Sequence, residues 1–269
     1  MAGIKGIHLL LFGYFLAQLI IIHAEVPSII VFGDSFVDAG NNNHMVTVAK
    51  SNFQPYGCDF YGSDRRIATD FIFEAFGIRS ITPAYLDPHY SMVDFAKGVS
   101  FASAGTGYDN LTSAIMELEY FKEYHNKMRI QFGAAKATKL LSEALYLISL
   151  GTNDFLENYY ALPLRSTVYS IEEYESFLLV KASNFIIDLY NLGARKISIA
   201  GLPPMDCFPY ERTKNYFICI HKYNLVASEF NVKLQQLVRK LNQDLGGIHL
   251  VYSDIYDILL DIIKNPLFW

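Results

Sequence analysis

Residues 27–43 read PSIIVFGDSFVDAGNNN, and the first six of them set the frame for the rest. PSIIVF (27–32) is a short apolar run rich in β-branched residues, the pattern of a strand covered on both faces. Four further runs share it: GVSFA (98–102), LYLISL (145–150), KISIA (196–200) and IHLVYS (248–253). Amphipathic stretches of helical period lie between them. In 171–193, Tyr174, Phe177, Leu178, Ala182, Phe185, Ile186 and Leu189 recur at three- and four-residue steps, and Gly193 closes the segment. In 222–245, Tyr223, Val226, Phe230, Leu234, Leu237 and Leu241 form one face ahead of Gly246 and Gly247. Shorter helices are expected over 114–128, 134–144 and 254–264. Strands alternating with helices predict an α/β sandwich around a five-stranded parallel sheet. No internal repeat or low-complexity linker interrupts the pattern, so residues 25–269 are expected to form a single domain.

That layout places three polar loops. In open parallel sheets, sites gather where the strands end. GDS follows the first strand, SAGTG the second and GTND the third. Acyl transfer by a serine needs a nucleophile, a base and donors aimed at the oxyanion. Ser35 sits in a tight turn just past a strand. Gly105 and Gly107 have no Cβ to keep a substrate from their N–H groups. The Asn153 amide can donate, and Asp154 beside it is read as holding the loop. Each motif alone is also an ordinary turn, bend or cap. Their placement at three successive strand ends favours a hydrolase site.

Composition narrows the class. The chain has 269 residues, 52% of them hydrophobic, enough for a large core. The formal charge is −5, with no basic cluster, which argues against nucleic acid as a partner. Nineteen Tyr and 20 Phe suit a packed core first and an apolar cleft second. Lys5 precedes an apolar stretch, Ile7–Ile22, slightly short for a membrane span and without strong basic flanks. It reads as a secretory signal peptide over 1–24, cleaved after Ala24, with an uncleaved anchor as the alternative. No later segment is long enough to span a bilayer. In a secreted chain, Cys207 and Cys219 can close a loop as a disulfide or remain free thiols; Cys58 is then left over. Asn110 heads the only glycosylation sequon, Asn-Leu-Thr. No histidine or cysteine spacing suggests a metal, and no cofactor is expected. Nothing in the sequence specifies an oligomeric state.

Four blocks, VFGDSFVDAGNNN, GVSFASAGTGYDN, LISLGTNDF and AGLPPMDCFPYERT, resemble the signatures of the plant GDSL esterase/lipases, a branch of the SGNH hydrolases. The resemblance runs from about Val26 to the last residue and is greatest to secreted, extracellular-lipase-like members. It implies a flavodoxin-like three-layer α/β/α fold and hydrolysis of lipid or other acyl esters outside the cell. It makes Ser35 the nucleophile and places its own N–H in the oxyanion hole, with the Gly105 N–H and the Asn153 side chain. Gly107 fits the glycine role less well. The family's cysteine pair corresponds to Cys207 and Cys219.

The chain departs from that pattern at the base. The family's general base is a histidine in an Asp-x-x-His motif near the C-terminus. The residues three before the seven histidines are Lys5, Ile20, Asn41, Leu86, Lys122, Ile218 and Gly246, none of them aspartate. The family also continues past the helix matched by VYSDIYDILLDIIKNPLFW, and it carries an Arg-Phe-Ser-Asn-Gly segment where this chain has only a short substitute within 59–72. The expectation is a C-terminally truncated fragment or splice variant without the last helix. A weak or inactive esterase follows from it. The alternatives are a catalytically dead lipid- or glycan-binding protein, or an acyltransferase using the same site.

Overall fold

A computed structural model describes residues 26–267 apart from 51, 53–65, 113, 215, 217 and 220. The signal peptide expected over 1–24, with His8 and His23, lies outside the described residues. So do Cys58 and the 59–65 part of the short substitute segment.

Five strands form where the apolar runs predict them: β1 (Ile29–Gly33), β2 (Gly98–Ser100), β3 (Leu145–Ser149), β4 (Lys196–Ala200) and β5 (His249–Ser253). They pair in parallel in the order β2-β1-β3-β4-β5. The register sets Ile29 opposite Gly98 and Leu145, and Lys196 opposite Leu145 and His249. All five β1 residues are buried, as a central strand requires.

The main helices are α1 (Ala68–Ala75), α2 (Ile115–Phe132), α3 (Ala134–Glu143), α4 (Ile171–Asn191), α5 (His221–Asp244) and α6 (Tyr256–Lys264). α4 begins at a reciprocal cap in which Ser170 and Glu173 each accept from the other's backbone N–H. It ends at Gly193, which adopts φ +109°. α2, α3, α4 and α5 pack on the sheet face of Ile30, Phe32, Tyr146, Ile148, Ile197, Ile199 and Leu250. Phe32 is central there, with ring centroids 5.4 Å from Phe101 and Phe121 and 5.5 Å from Phe185.

On the other face, Phe73 of α1 packs against Ile29 and Val31, with Leu145 and Leu147 at the margin. Strand order explains the split. The connection towards β2 and those towards β5 run in opposite directions, so right-handed crossovers put their helices on opposite faces. This is the α/β sandwich expected from the strand pattern. Its second face is thinly covered near β4 and β5: α6 buries no residue and Val251 is 58% exposed. An apolar groove of about 320 Å³ runs there between α1, α6 and the sheet.

Two helices have no apolar stripe to announce them. α1 buries Thr69, Asp70 and Phe73, and the wide-turned helix Asp154–Ala161 buries Asp154, Phe155 and Asn158. Each inward face joins one aromatic that reaches the core, Phe73 or Phe155, to polar groups that support loops, as where Asp70 accepts from Thr82 N at 2.6 Å.

Candidate active site

β1 delivers the chain into the turn that holds Ser35, and backbone hydrogen bonds tie that turn to its neighbours. The Asp34 N–H donates to Ser149 O at 3.0 Å, fixing the turn to the end of β3. Ser103 N donates to Gly33 O at 2.8 Å, fixing the loop after β2 to the end of β1. Asn153 Nδ2 donates to Thr106 O at 2.8 Å, joining the loop after β3 to the same segment. Ser35, the Gly105 loop and Asn153 therefore belong to one hydrogen-bonded rim. Ser35 itself is exposed.

The asparagine run brackets this rim. Asn41 Nδ2 donates to Ser100 O and Ala102 O, while its Oδ1 accepts from Leu86 N. Asn42 Oδ1 accepts from Ser103 Oγ at 2.6 Å and Ala104 N at 3.1 Å. Asp38 accepts from the N–H groups of Gly40, Asn41 and Ala104 at 2.8, 2.7 and 3.2 Å. Asn41 and Asn42 are buried, and such groups persist in an interior only when paired. They rivet the Ser35 turn to the loop that carries Gly105, a role the sequence alone does not assign to them.

The two candidate glycines separate by environment. Gly105 adopts φ +90°, and a Cβ built there would meet nothing within 4 Å. It lies beside open space in a conformation that disfavours side chains. At Gly107 a Cβ would lie 2.5 Å from Asp154 Oδ1. Gly107 is small because a carboxylate packs on it. The N–H groups of Ser35 and Gly105 find no acceptor among the described residues, and Asn153 Nδ2 keeps a second hydrogen.

Asp154 holds the loop below, as its place beside Asn153 suggests. Its oxygens accept from Tyr108 N at 2.7 Å, Asp109 N at 2.9 Å and Thr112 Oγ1 at 2.6 Å. Complete burial pushes its pKa up to about 6, against the pull of those bonds. Asp34 is pushed up to about 7, again chiefly by burial, while the Phe36 N–H bond pulls the other way. Asp109 continues the support outward, paired with both Arg165 Nε and Nη2 and accepting from the Tyr174 hydroxyl at 2.8 Å.

No histidine among the described residues hydrogen-bonds Ser35. His125 lies on α2, His221 opens α5, His249 is on β5 and His44 ends a one-turn helix. His89 Nδ1 pairs with Asp87 Oδ1 at 2.7 Å, but its side chain is 86% exposed. This pair is two residues apart in sequence, so a search for Asp-x-x-His passes over it. Among the described residues no cluster of His, Cys, Asp and Glu suits a metal, and no helix is long and apolar enough to cross a membrane. Cys207 and Cys219 are joined by a disulfide, their Cα atoms 4.6 Å apart. Asn110 is exposed, with Lys181 Nζ 3.3 Å from its Oδ1.

Known proteins are similar to this chain over most of its length. The sequence profile of the GDSL-like lipase/acylhydrolases matches residues 29–265. Three GDSL esterase/lipases of Arabidopsis thaliana are 52, 48 and 48% identical to this chain over alignments of 260, 283 and 260 residues. Those alignments cover 90, 99 and 90% of this chain and 74, 81 and 74% of the relatives. A match of that breadth, on a parallel sheet whose first strand opens into Gly-Asp-Ser, means that this chain belongs to the GDSL lipase/acylhydrolase family of ester-hydrolysing enzymes.

Proposed function

We propose that the chain is a secreted carboxylic ester hydrolase for lipid or other acyl esters, with Ser35 as nucleophile. The carrying observation is that three donors without a full set of partners, Ser35 N–H, Gly105 N–H and Asn153 Nδ2, lie on one hydrogen-bonded rim around an exposed serine. Ser35 Oγ attacks the ester carbonyl carbon, and the three donors stabilise the negative oxygen that forms. The alcohol leaves with a proton, and water then releases the acid from the acyl-enzyme. The names of the relatives, esterase/lipase, support the ester class.

The proton of Ser35 has no histidine to receive it among the described residues. General-base help is typically worth about 10²–10⁴-fold, and without it a serine hydroxyl reacts slowly. That no histidine among the described residues hydrogen-bonds Ser35 favours a second reading, a binding protein for lipids or glycans that keeps the cleft without the chemistry. An acyltransferase would use the same acyl-enzyme with a different acceptor. Residues 1–24 act as the cleaved leader, residues 25–269 form one domain, and Asn110 carries a glycan on its exposed loop.

Hydrolysis of a short-chain nitrophenyl ester by the chain and its Ser35→Ala variant decides between the readings. A serine-dependent rate, abolished in the variant, supports the hydrolase. Equal rates, together with saturable binding of lipid or glycan, would transfer the chain to the binding class. The intact mass of protein exported from plant cells checks the leader and the glycan together.

A further inference from the structure

Behind the nucleophile turn lies a carboxyl group that the reaction does not use. Glu117 is in the first turn of α2 and 1% exposed. Its Oε2 accepts from Gly33 N at 2.9 Å, two residues before Ser35. Its Oε1 lies 2.8 Å from Thr106 Oγ1, the residue after Gly105. The same Thr106 hydroxyl lies 2.9 Å from Gly33 O and 2.8 Å from Ser103 O.

The two protonation states of Glu117 differ in how many acceptors compete for the Thr106 hydrogen. A hydroxyl has one hydrogen and can also accept. If Glu117 were ionised, one hydrogen would face three acceptors, leaving unprotonated oxygens in contact. If Glu117 is the neutral acid, Oε1–H donates to Thr106 Oγ1, the one Thr106 hydrogen is shared between two carbonyls instead of three acceptors, and Gly33 N–H donates to Oε2. The start of α2 favours an anion there. Burial opposes it, and no cation pairs with Glu117 among the described residues. The acidic groups acting on it are Asp34 and Asp38 of the Ser35 loop, and each, when ionised, disfavours a further negative charge. Burial pushes its pKa well above the usual carboxylate range against the pull of the Thr106 and Gly33 hydrogen bonds, and Asp34 and Asp38 add to the rise.

We propose that Glu117 is a positioning residue: as a neutral acid it bridges Gly33 N–H and the Thr106 hydroxyl, and so holds the nucleophile turn at a fixed spacing from the oxyanion loop. The positioning role rests on reading Ser35 and Gly105 as the reacting site; the bridge does not.

The test compares the full chain with E117Q, E117M, T106V and S35A. Infrared difference spectra at pH 7, with E117Q as the reference, are expected to contain the C=O stretch of a buried neutral carboxyl; its absence would overturn the neutral state. Amide exchange over 33–36 and 103–109 is expected to rise in E117M and T106V and to stay at the wild-type level in E117Q, whose amide accepts and donates at the same two points. Equal exchange in E117M and E117Q would reduce Glu117 to packing and overturn the bridge. Labelling of Ser35 by a fluorophosphonate is expected to slow about tenfold in E117M and recover in E117Q; equal labelling would overturn the positioning role. Labelling that persists in S35A would instead sink the nucleophile reading, with the spectra and exchange still deciding the bridge.

Discussion

At the scale of single residues, the two glycines of the SAGTG loop answer to different constraints. Gly105 is left-handed beside open space, whereas Gly107 carries the Asp154 carboxylate on its Cα. Gly107→Ala must displace Asp154, a buried acceptor of three hydrogen bonds, and is expected to cost about 2–4 kcal/mol. Gly105→Ala meets only backbone strain, about 1–2 kcal/mol, and keeps the fold. Denaturant titration of the two variants ranks them, and a larger loss at Gly105 would contradict these roles. The family resemblance sets Gly105 ahead of Gly107 as a donor but does not say which is costlier to substitute, because that difference lies in what another loop places against each. Glu117 was legible in part. It falls four residues before Phe121 on the stripe that continues through Tyr124 and Met128, so its burial could have been foreseen. Its partners, Gly33 and Thr106, could not.

At the scale of elements, the Pro-rich loop after β4 shows how a covalent link and a cap cooperate. The disulfide closes the loop between Cys207 and Cys219, and Asp206 Oδ2 accepts from Tyr223 N at 2.7 Å and Asn224 N at 3.0 Å at the start of α5. Asn224 Oδ1 accepts in turn from Asp206 N at 2.9 Å. The loop is thus pinned to the helix it precedes. Closing a loop of this length is worth about 3 kcal/mol. Replacing both cysteines with serine is expected to lower stability by about that amount and to raise amide exchange in the first turn of α5. An unchanged melting temperature would show that the cap alone holds the loop. Elements with an apolar face, α4 and α5 above all, are readable because their partner is the sheet. Asp154–Ala161 is not, because it turns its polar side inward to support a loop.

At the scale of the whole molecule, a cluster of buried acids makes stability depend on pH. Asp34, held at about 7, and Asp154, at about 6, both lie above the value of 3.8 for an exposed aspartate. The folded state therefore binds more protons than the unfolded one between roughly pH 4 and 7, and stability falls as pH rises through that window. Asp34 alone accounts for up to about 4 kcal/mol of this. The melting temperature is expected to be highest in mild acid and to fall towards neutral pH. Asp34→Asn, which keeps an acceptor for the Phe36 N–H, is expected to flatten the slope. A curve rising from pH 4 to 7 would refute the neutral acids. The family resemblance, the five strands, the long helices and the three polar loops were all legible in the chain, because periodicity and turn chemistry are local. Which glycine borders open space, which acid is buried without a cation and which asparagine is a rivet depend on groups 40–100 residues apart. Hydrogen-bond partnership and desolvation are properties of the neighbourhood that folding creates, and only the tertiary structure decides them.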